Sequence, residues 1–186
     1  MNPQPSDGAG VVTDTSGPIL ERRIFEERFP GLGFAIDVPS DFISVPLPAE
    51  TYSFEKPETV APLALCSSQV ALAIVGVAAR PAYSEGAVSQ WLGYLAHQQG
   101  IELSRARAGM IGPHPGVLAD GRQVQDGTEL WMRVAAFEDG GRFVLVTAMT
   151  AAALAPSFGP ALEFAVSSLA LAEGRGPTAN ILPEGM

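Results

Sequence analysis

Two histidines stand out among the residues of this chain whose side chains could do chemistry. His114 lies between two prolines, so its backbone is rigid, and a fixed, exposed imidazole suits acid–base chemistry or recognition. His97 falls in the last turn of a predicted helix, where a partly charged imidazole suits the helix dipole. The two histidines together with Asp120 or Asp126 could in principle form a metal site. No spacing in the sequence forces these groups together, so an ordinary loop position for His114 is the simpler interpretation.

Cys66 is the single cysteine of the chain. A single cysteine excludes an internal disulfide and a zinc site built from cysteines. Because no histidine is predicted beside it, a reactive thiolate there lacks an activator. We expect Cys66 to be a small buried hydrophobic residue.

Three arginines and a tryptophan form the candidate binding surface, together with His114. Arg105, Arg107 and Arg133 could bind an anion together, or they could be solvated surface positions. Trp131 shares a strand face with Arg133, so it is the better of the two tryptophans for a partly exposed surface. The other, Trp91, is expected in the core.

The signatures of common enzymes are missing: the chain has no G-x-S-x-G, H-E-x-x-H or C-x-x-C. The lone Lys56 is followed by Pro57, which excludes a phosphate-binding loop with its lysine. Gly31 and Gly33 lack a third glycine and precede a strand, the wrong order for dinucleotide binding. We therefore predict no enzyme activity, no cofactor and no metal.

The 186-residue composition fits one ordinary domain, with 47% hydrophobic and 17% charged residues. The net charge of −9 and the scattered arginines argue against a nucleic-acid partner, because phosphate contacts need clustered basic residues. The apolar run 70–79 is too short for a membrane helix. The first residues lack a basic start and an apolar core, so they do not resemble a signal peptide. The sequence predicts a soluble, cytoplasmic protein.

Residues 1–20 are rich in Pro, Gly, Ser and Asp, a composition that predicts a disordered lead-in. The similar composition of residues 173–186 predicts a flexible tail. Between them, 21–172 would form a single domain. Its first strand is predicted over 24–29, with charges suited to an edge. The next, over 33–38, would end at Pro39 as an outer strand of one mixed sheet.

The middle of the chain predicts a buried strand at 70–79, covered on both sides. A helix follows, with Ser84 as N-cap and Gly100 as a left-handed cap. A weaker strand is predicted over 101–108. Because of its glycines and prolines, the segment 109–116 is expected to be an irregular loop.

The strongest local pattern is a hairpin, with strands over 130–137 and 142–149. Asp139-Gly140 suits the centre of a type I′ turn. If Glu138 pairs with Gly141, Ala136 faces Phe143 on an almost wholly apolar face. The opposite face is mixed, so the hairpin should lie inside a sheet covered on both sides.

The final helix is predicted over 157–171, with Pro160 in its first turn. Its buried stripe would consist of Phe158, Leu162, Ala165, Val166 and Leu169.

The order of these elements resembles the PsbP-like family, which includes an extrinsic subunit of photosystem II, a Ran-binding nuclear import factor and many bacterial proteins. Three stretches between about 30 and 172 carry the likeness: FAIDVPSDF, AIVGVAARPAYSEGAVSQWL and WMRVAAFEDGGRFVLVTAMTAAALAPSFGPALEFAVSSL. The resemblance implies an α+β fold, a mostly antiparallel sheet flanked by helices on both faces (an α/β/α sandwich). It also implies a mostly non-enzymatic role, and it carries over no catalytic residues.

The expected function is therefore a non-enzymatic protein-binding, assembly or chaperone-like factor that presents the sheet edge and the 109–121 loop to a protein partner. The alternative is a carrier that holds a small apolar ligand between the sheet and the first helix, near Trp91 and Trp131. An enzyme would require His114 to meet a carboxylate in a concave site. The sequence leaves room for a homodimer and does not identify a partner.

Overall fold

A computed structural model describes residues 18–29, 31–47, 60–82 and 87–172 of the chain. The predicted tail 173–186, most of the predicted lead-in and Ser84 lie outside these described residues. In chain order the elements are β1 (Leu20–Phe29), β2 (Leu32–Pro39), β3 (Ile43–Ser44), β4 (Ala61–Ser68), β5 (Ala73–Pro81), α1 (Val88–Gln98), β6 (Glu102–Ile111), β7 (His114–Gln125), β8 (Thr128–Asp139), β9 (Arg142–Ala151), α2 (Ala155–Ser167) and β10 (Ala170–Leu171).

The described strands form two sheets rather than the one mixed sheet that was predicted. A seven-stranded sheet has the order β3-β4-β5-β9-β8-β7-β6, and a three-stranded sheet has the order β1-β2-β10. All pairings in both are antiparallel. Strand β2 ends at Pro39, as expected, but it is a central strand and not an outer one. The cause is β10, which follows α2 and pairs Ala170 with Ala35 on the free side of β2.

The predicted hairpin is formed by β8 and β9, with a register two residues from the predicted one. Ala136 faces Leu145, and Asp139 pairs with Arg142. The two-residue turn is therefore Gly140-Gly141, and both residues have positive φ, as a type I′ turn requires. A shift of two residues keeps every side chain on its predicted face, so the predicted division into two faces is confirmed.

Segment 109–116 is not the loop that its glycines and prolines suggested. Strands β6 and β7 run through it and turn at residues 112–113, with Gly109 opposite Gly116. A side chain at Gly109 would collide with Leu118, and one at Gly116 with the Ala136 carbonyl. These glycines permit close approach of neighbouring groups within the sheet.

Both helices differ at their ends from the prediction. Helix α1 begins after Ala87, which makes no side-chain cap, and Gly100 has the expected positive φ. Helix α2 begins earlier and ends earlier than predicted, so Pro160 lies inside it. The buried Leu169 follows the helix instead of belonging to it.

The two faces of the seven-stranded sheet are covered differently. On one face, Trp91 and Leu92 of α1 pack with Met132, Val134 and Phe143. On the other, residues of α2 and of β2 share one core with β4, β5, β8 and β9. The mostly antiparallel α+β fold is thus confirmed. A sandwich with helices as both outer layers is not confirmed, because the three-stranded sheet forms much of one layer.

Strand β5 is shorter than predicted at its start. It begins at Ala73, and residues 69–72 form the turn that connects it to β4. Along β5, buried and half-buried residues alternate, so one face lies in the core and the other is only partly covered. None of the described helices is long and apolar enough to cross a membrane.

Candidate functional site

Two of the three arginines predicted for a binding surface, Arg105 and Arg133, meet around Asp120 on β7. The β7–β8 register places Asp120 opposite Arg133, and the Arg133 guanidinium donates to its carboxylate. Arg105 Nη1 lies 3.8 Å from the second oxygen of Asp120. Arg133 Nη2 also lies 3.2 Å from Glu163 Oε2 on α2. The guanidinium therefore joins the sheet to the helix.

Backbone geometry brings Arg105 to this cluster. The β6–β7 register shifts between Ser104 and Arg107, and Arg105 has a φ of 52° at that irregularity. A β-bulge of this kind redirects the side chain of the extra residue. The guanidinium of Arg105 approaches Asp120 while its side chain stays 82% exposed.

The three predicted arginines do not converge on one open site. Arg133 is 9% exposed along its side chain and is occupied by two carboxylates. Arg107 is exposed and pairs in the sheet with Leu118. Two arginines and two carboxylates balance in the cluster, so its charge is already compensated within the chain. Binding of an anion by these residues stays a prediction.

His114 is the first residue of β7 and is partly buried, which corrects the expectation of an exposed loop histidine. Its ring stacks on Phe137 at 4.6 Å between centroids. Nδ1 lies 4.0 Å from Asp139 Oδ1, and the side chain is 19% exposed. Asp120 is six residues farther along the strand, about 20 Å away, and Asp126 lies beyond its far end. No group of three metal-ligating side chains occurs among the described residues.

The two tryptophans lie on opposite faces of the seven-stranded sheet. Trp91 is buried and stacks on Phe143, 5.2 Å away, on the α1 face. Trp131 lies on the α2 face. Its ring atom Cη2 would be 3.8 Å from a Cβ atom added at Gly159 of α2, which is ordinary van der Waals contact. The predicted ligand space beside both tryptophans is therefore wrong, because one cavity between the sheet and α1 cannot include Trp131.

The remaining candidates have the predicted environments. Cys66 is 1% exposed on β4, with its Sγ 4.0 Å from Ser44 Oγ. His97 is in the last turn of α1 and exposed. The buried role of Cys66 is confirmed.

A feature that sequence reasoning missed is the turn between β4 and β5. This turn, residues 69–72, together with Ser68 at the end of β4, is called here the apolar turn. Val70 is 83% exposed and Leu72 is 65% exposed. Between them Ala71 is 1% exposed, so it anchors the turn in the core. On the neighbouring β3, Ile43 is 60% exposed and pairs with Ser67, so it lies at the same end of the sheet.

Three side-chain hydrogen bonds hold the apolar turn in place. Ser68 Oγ accepts from Ala71 N at 3.0 Å and donates to Asp41. Thr150 Oγ1 donates to Ala71 O at 3.0 Å. Ser68 and Thr150 are two of the three buried polar residues in the described part of the chain. The turn is thus fixed from both sides while its two large apolar side chains face solvent.

Leu72 has a φ of 44°, in the left-handed region that costs an ordinary residue roughly 1–2 kcal/mol. Backbone strain of this kind is often associated with functional sites. The polar Ser67-Ser68-Gln69 before Val70 was the one sequence signal for a turn here. The continuous apolar run that begins at Val70 is the stronger pattern, and it predicts a strand instead of a turn.

Comparison with solved structures identifies the architecture. This chain matches the solution structure of cyanobacterial PsbP (CyanoP) from Synechocystis sp. PCC 6803 with a TM-score of 0.59, over 88% of this chain and 99% of that one. The fold is PsbP-like.

A second structure supports this PsbP-like assignment. LpqN, described as involved in cell envelope biogenesis of Mycobacterium tuberculosis, matches with a TM-score of 0.53 over 82% of this chain and 91% of its own. Sequence identities are 13% and 11%, so the likeness is one of fold. No family model and no curated protein matches the chain.

Proposed function

We propose that this chain is a non-enzymatic protein-binding factor with an assembly or chaperone-like role, and that it binds its partner through the apolar turn. The observation that carries the proposal is the exposure of Val70 and Leu72 on a turn held by three side-chain hydrogen bonds. Apolar groups exposed in this way gain free energy when a partner removes them from water. Because the turn is already ordered, binding would cost little conformational entropy.

The charge around the apolar turn indicates the chemistry of the partner. The nearest charged side chain in the hydrogen-bond network is Asp41, and the whole chain carries −9. An anionic lipid surface would repel such a chain, whereas membrane-inserting tips usually have Lys or Arg beside them. We therefore propose a protein partner with an apolar pocket bordered by basic residues.

The ionisable side chains support a non-enzymatic role. Arg133 is occupied by Asp120 and Glu163, and His114 stacks on Phe137, so each has a structural contact in place. The PsbP-like fold of CyanoP and LpqN is compatible with this role. The cytoplasmic location remains a prediction.

Site-specific photo-crosslinking tests the proposal. A photoreactive amino acid replaces Leu72 in one variant and Val124, a 72% exposed apolar residue on β7, in a control. Each is irradiated in extract of the native host. We expect one protein to be crosslinked from position 72, not from position 124, and to be competed away by excess unlabelled wild type. An excess of Val70→Asp should not compete. Equal crosslinking at both positions, or equal competition by Val70→Asp, would exclude the apolar turn as the binding site.

A further inference from the structure

Among the described strands, β1 is an edge strand. It is an outer strand of the three-stranded sheet, and no described strand pairs with its outer side. Ser40 N donates to Ile19 O at 2.8 Å. This bond shows which residues of β1 direct their backbone groups toward β2 and which direct them away from it. Residues 21, 23 and 25 direct their N–H and C=O groups toward β2, and residues 20, 22 and 24 direct theirs outward. Pro39 lies opposite Leu20, where its missing N–H costs no bond to β1.

The residues on the outward positions include an exposed apolar side chain between opposite charges. Ile24 is 81% exposed. Two residues before it, on the same face, the Arg22 side chain is 53% exposed and its Nη1 lies 3.2 Å from Asp37 Oδ1 on β2, so part of the guanidinium stays open to a second partner. Two residues after it, Glu26 is exposed. Phe25 is the last residue before the register of β1 with β2 shifts, and continuing the alternation one residue past it gives Glu26 the same face. The arrangement Arg-x-Ile-x-Glu is complementary to itself when reversed.

We propose that two copies of this chain pair through β1, antiparallel, about a twofold axis at Ile24. Ile24 would face Ile24 of the second copy, and Arg22 would face Glu26 of the second copy on both sides of the axis. Opposite charges directly across an antiparallel pair are stabilising. The pairing would join the two three-stranded sheets into one of six strands and satisfy the outward backbone groups of Ile24.

Other registers are less favourable. An axis at Arg22 or at Arg23 would place two arginines face to face, and an axis at Glu26 would place two glutamates face to face. An axis at Phe25 would place Ile24 against Glu26. The register between β1 and β2 shifts after Phe25, so the regular edge is short and the expected dimer is reversible. Self-complementary charge is the reason to infer a second copy rather than an unrelated strand.

Disulfide trapping tests the register. In the proposed dimer the Cα atoms of the two Ile24 residues would lie about 5.5 Å apart, as in any hydrogen-bonded antiparallel pair, within the range of a disulfide. We expect Ile24→Cys to form a covalent dimer under mild oxidation, and Val124→Cys, at a position that is 72% exposed, to remain monomeric. The native Cys66 is buried and would not interfere. No covalent dimer from Ile24→Cys, or the same yield from Val124→Cys, would overturn the proposal.

Charge exchange tests the contacts by sedimentation velocity of the full chain. Arg22→Glu places glutamates opposite each other, and Glu26→Arg places arginines opposite each other. Each change should weaken the homodimer about tenfold. An equimolar mixture of the two variants should regain wild-type dimerisation, since every facing pair is then opposite in charge. The proposal fails if the wild type stays monomeric at the highest concentration reached, if neither variant weakens the dimer, or if the mixture remains as weak as its components. None of these outcomes depends on the apolar turn.

Discussion

Arg133 on β8 and Glu163 on α2 connect the seven-stranded sheet to the helix that covers it, through an ion pair of 3.2 Å. The same guanidinium donates to Asp120 on the neighbouring strand. The Arg133 side chain is 9% exposed and that of Asp120 is 17% exposed. A charge buried to this degree depends on its partners, because water cannot replace them without local opening.

We expect Arg133→Met to lower the free energy of unfolding by about 3 kcal/mol, because it leaves Asp120 buried with only the solvent-exposed Arg105, 3.8 Å away, as a counter-charge. The double variant Arg133→Met with Asp120→Leu should recover most of the loss, since it removes both charges. Urea denaturation followed by circular dichroism measures these values. Arg107→Met is the matched control, and its exposed site predicts a change within about 0.5 kcal/mol. A loss from Arg107→Met as large as that from Arg133→Met would contradict this account of the cluster.

Gly112, in the turn between β6 and β7, connects that hairpin to the end of α2. Its N–H donates to Ser167 O at 2.7 Å, and its φ is +54°. An added methyl group would overlap the carbonyl of Leu169. Gly112→Ala should therefore cost about 3 kcal/mol or more, from left-handed strain together with displacement of backbone.

Gly127 supplies the control for that substitution, because its φ is +78° and nothing lies within 4 Å of an added Cβ. Gly127→Ala should cost only the conformational strain, roughly 1–2 kcal/mol. Thermal and chemical denaturation of both variants measure the difference. Equal losses of unfolding free energy in Gly112→Ala and Gly127→Ala would show that the overlap with Leu169 does not contribute to the loss.

The apolar turn predicts an unusual response at Leu72. Leu72→Gly relieves the left-handed strain, so the free energy of unfolding should stay unchanged or rise by up to about 1 kcal/mol. The side chain is 65% exposed, so little packing is lost. Ala71→Asp, at the buried anchor of the same turn, should destabilise strongly because it buries an unpaired carboxylate. A large loss of stability in Leu72→Gly would mean that the leucine packs against the protein and is not available to a partner.

Cys66 provides a probe of opening at β4. Its 1% exposure predicts no reaction with a thiol reagent such as DTNB in the native state and prompt reaction in guanidinium chloride. A Val70→Cys variant in a Cys66→Ser background should react at once without denaturant, because that position is 83% exposed. Prompt reaction of native Cys66 would indicate that the short β3 and its neighbour open readily.

Local pattern predicted the β8–β9 hairpin and its two faces, and it missed the register by two residues. Side chains alternate with a period of two, so a shift of two leaves the apolar pattern unchanged. Only the turn separates the alternatives, and Asp139-Gly140 and Gly140-Gly141 both suit type I′ geometry. The structure has the second pair at the turn.

Other errors arose where a residue type has two uses. Gly109 and Gly116 predict an irregular loop from the sequence, but they face each other inside a sheet that allows no side chain there. Val70 and Leu72 predict a strand because they are apolar, but they lie in an exposed turn.

The pairing of β10 with β2 depends on tertiary packing, because the position of the end of α2 decides whether β10 can reach β2. A short two-residue strand leaves almost no periodic signal. Among the candidate residues, the separation of Trp91 from Trp131 also depends on tertiary packing.

The strand order of the larger sheet has a consequence for synthesis on the ribosome. Its centre is the pairing of β5 with β9, two strands from opposite halves of the chain. The early hairpin of β4 and β5 must wait with one edge open until β9 has left the exit tunnel, and β2 must wait longer for β10. Such distant partners slow folding. A nascent chain stalled before β9 should therefore remain protease-sensitive, and the native fold should form only after β10 has left the exit tunnel.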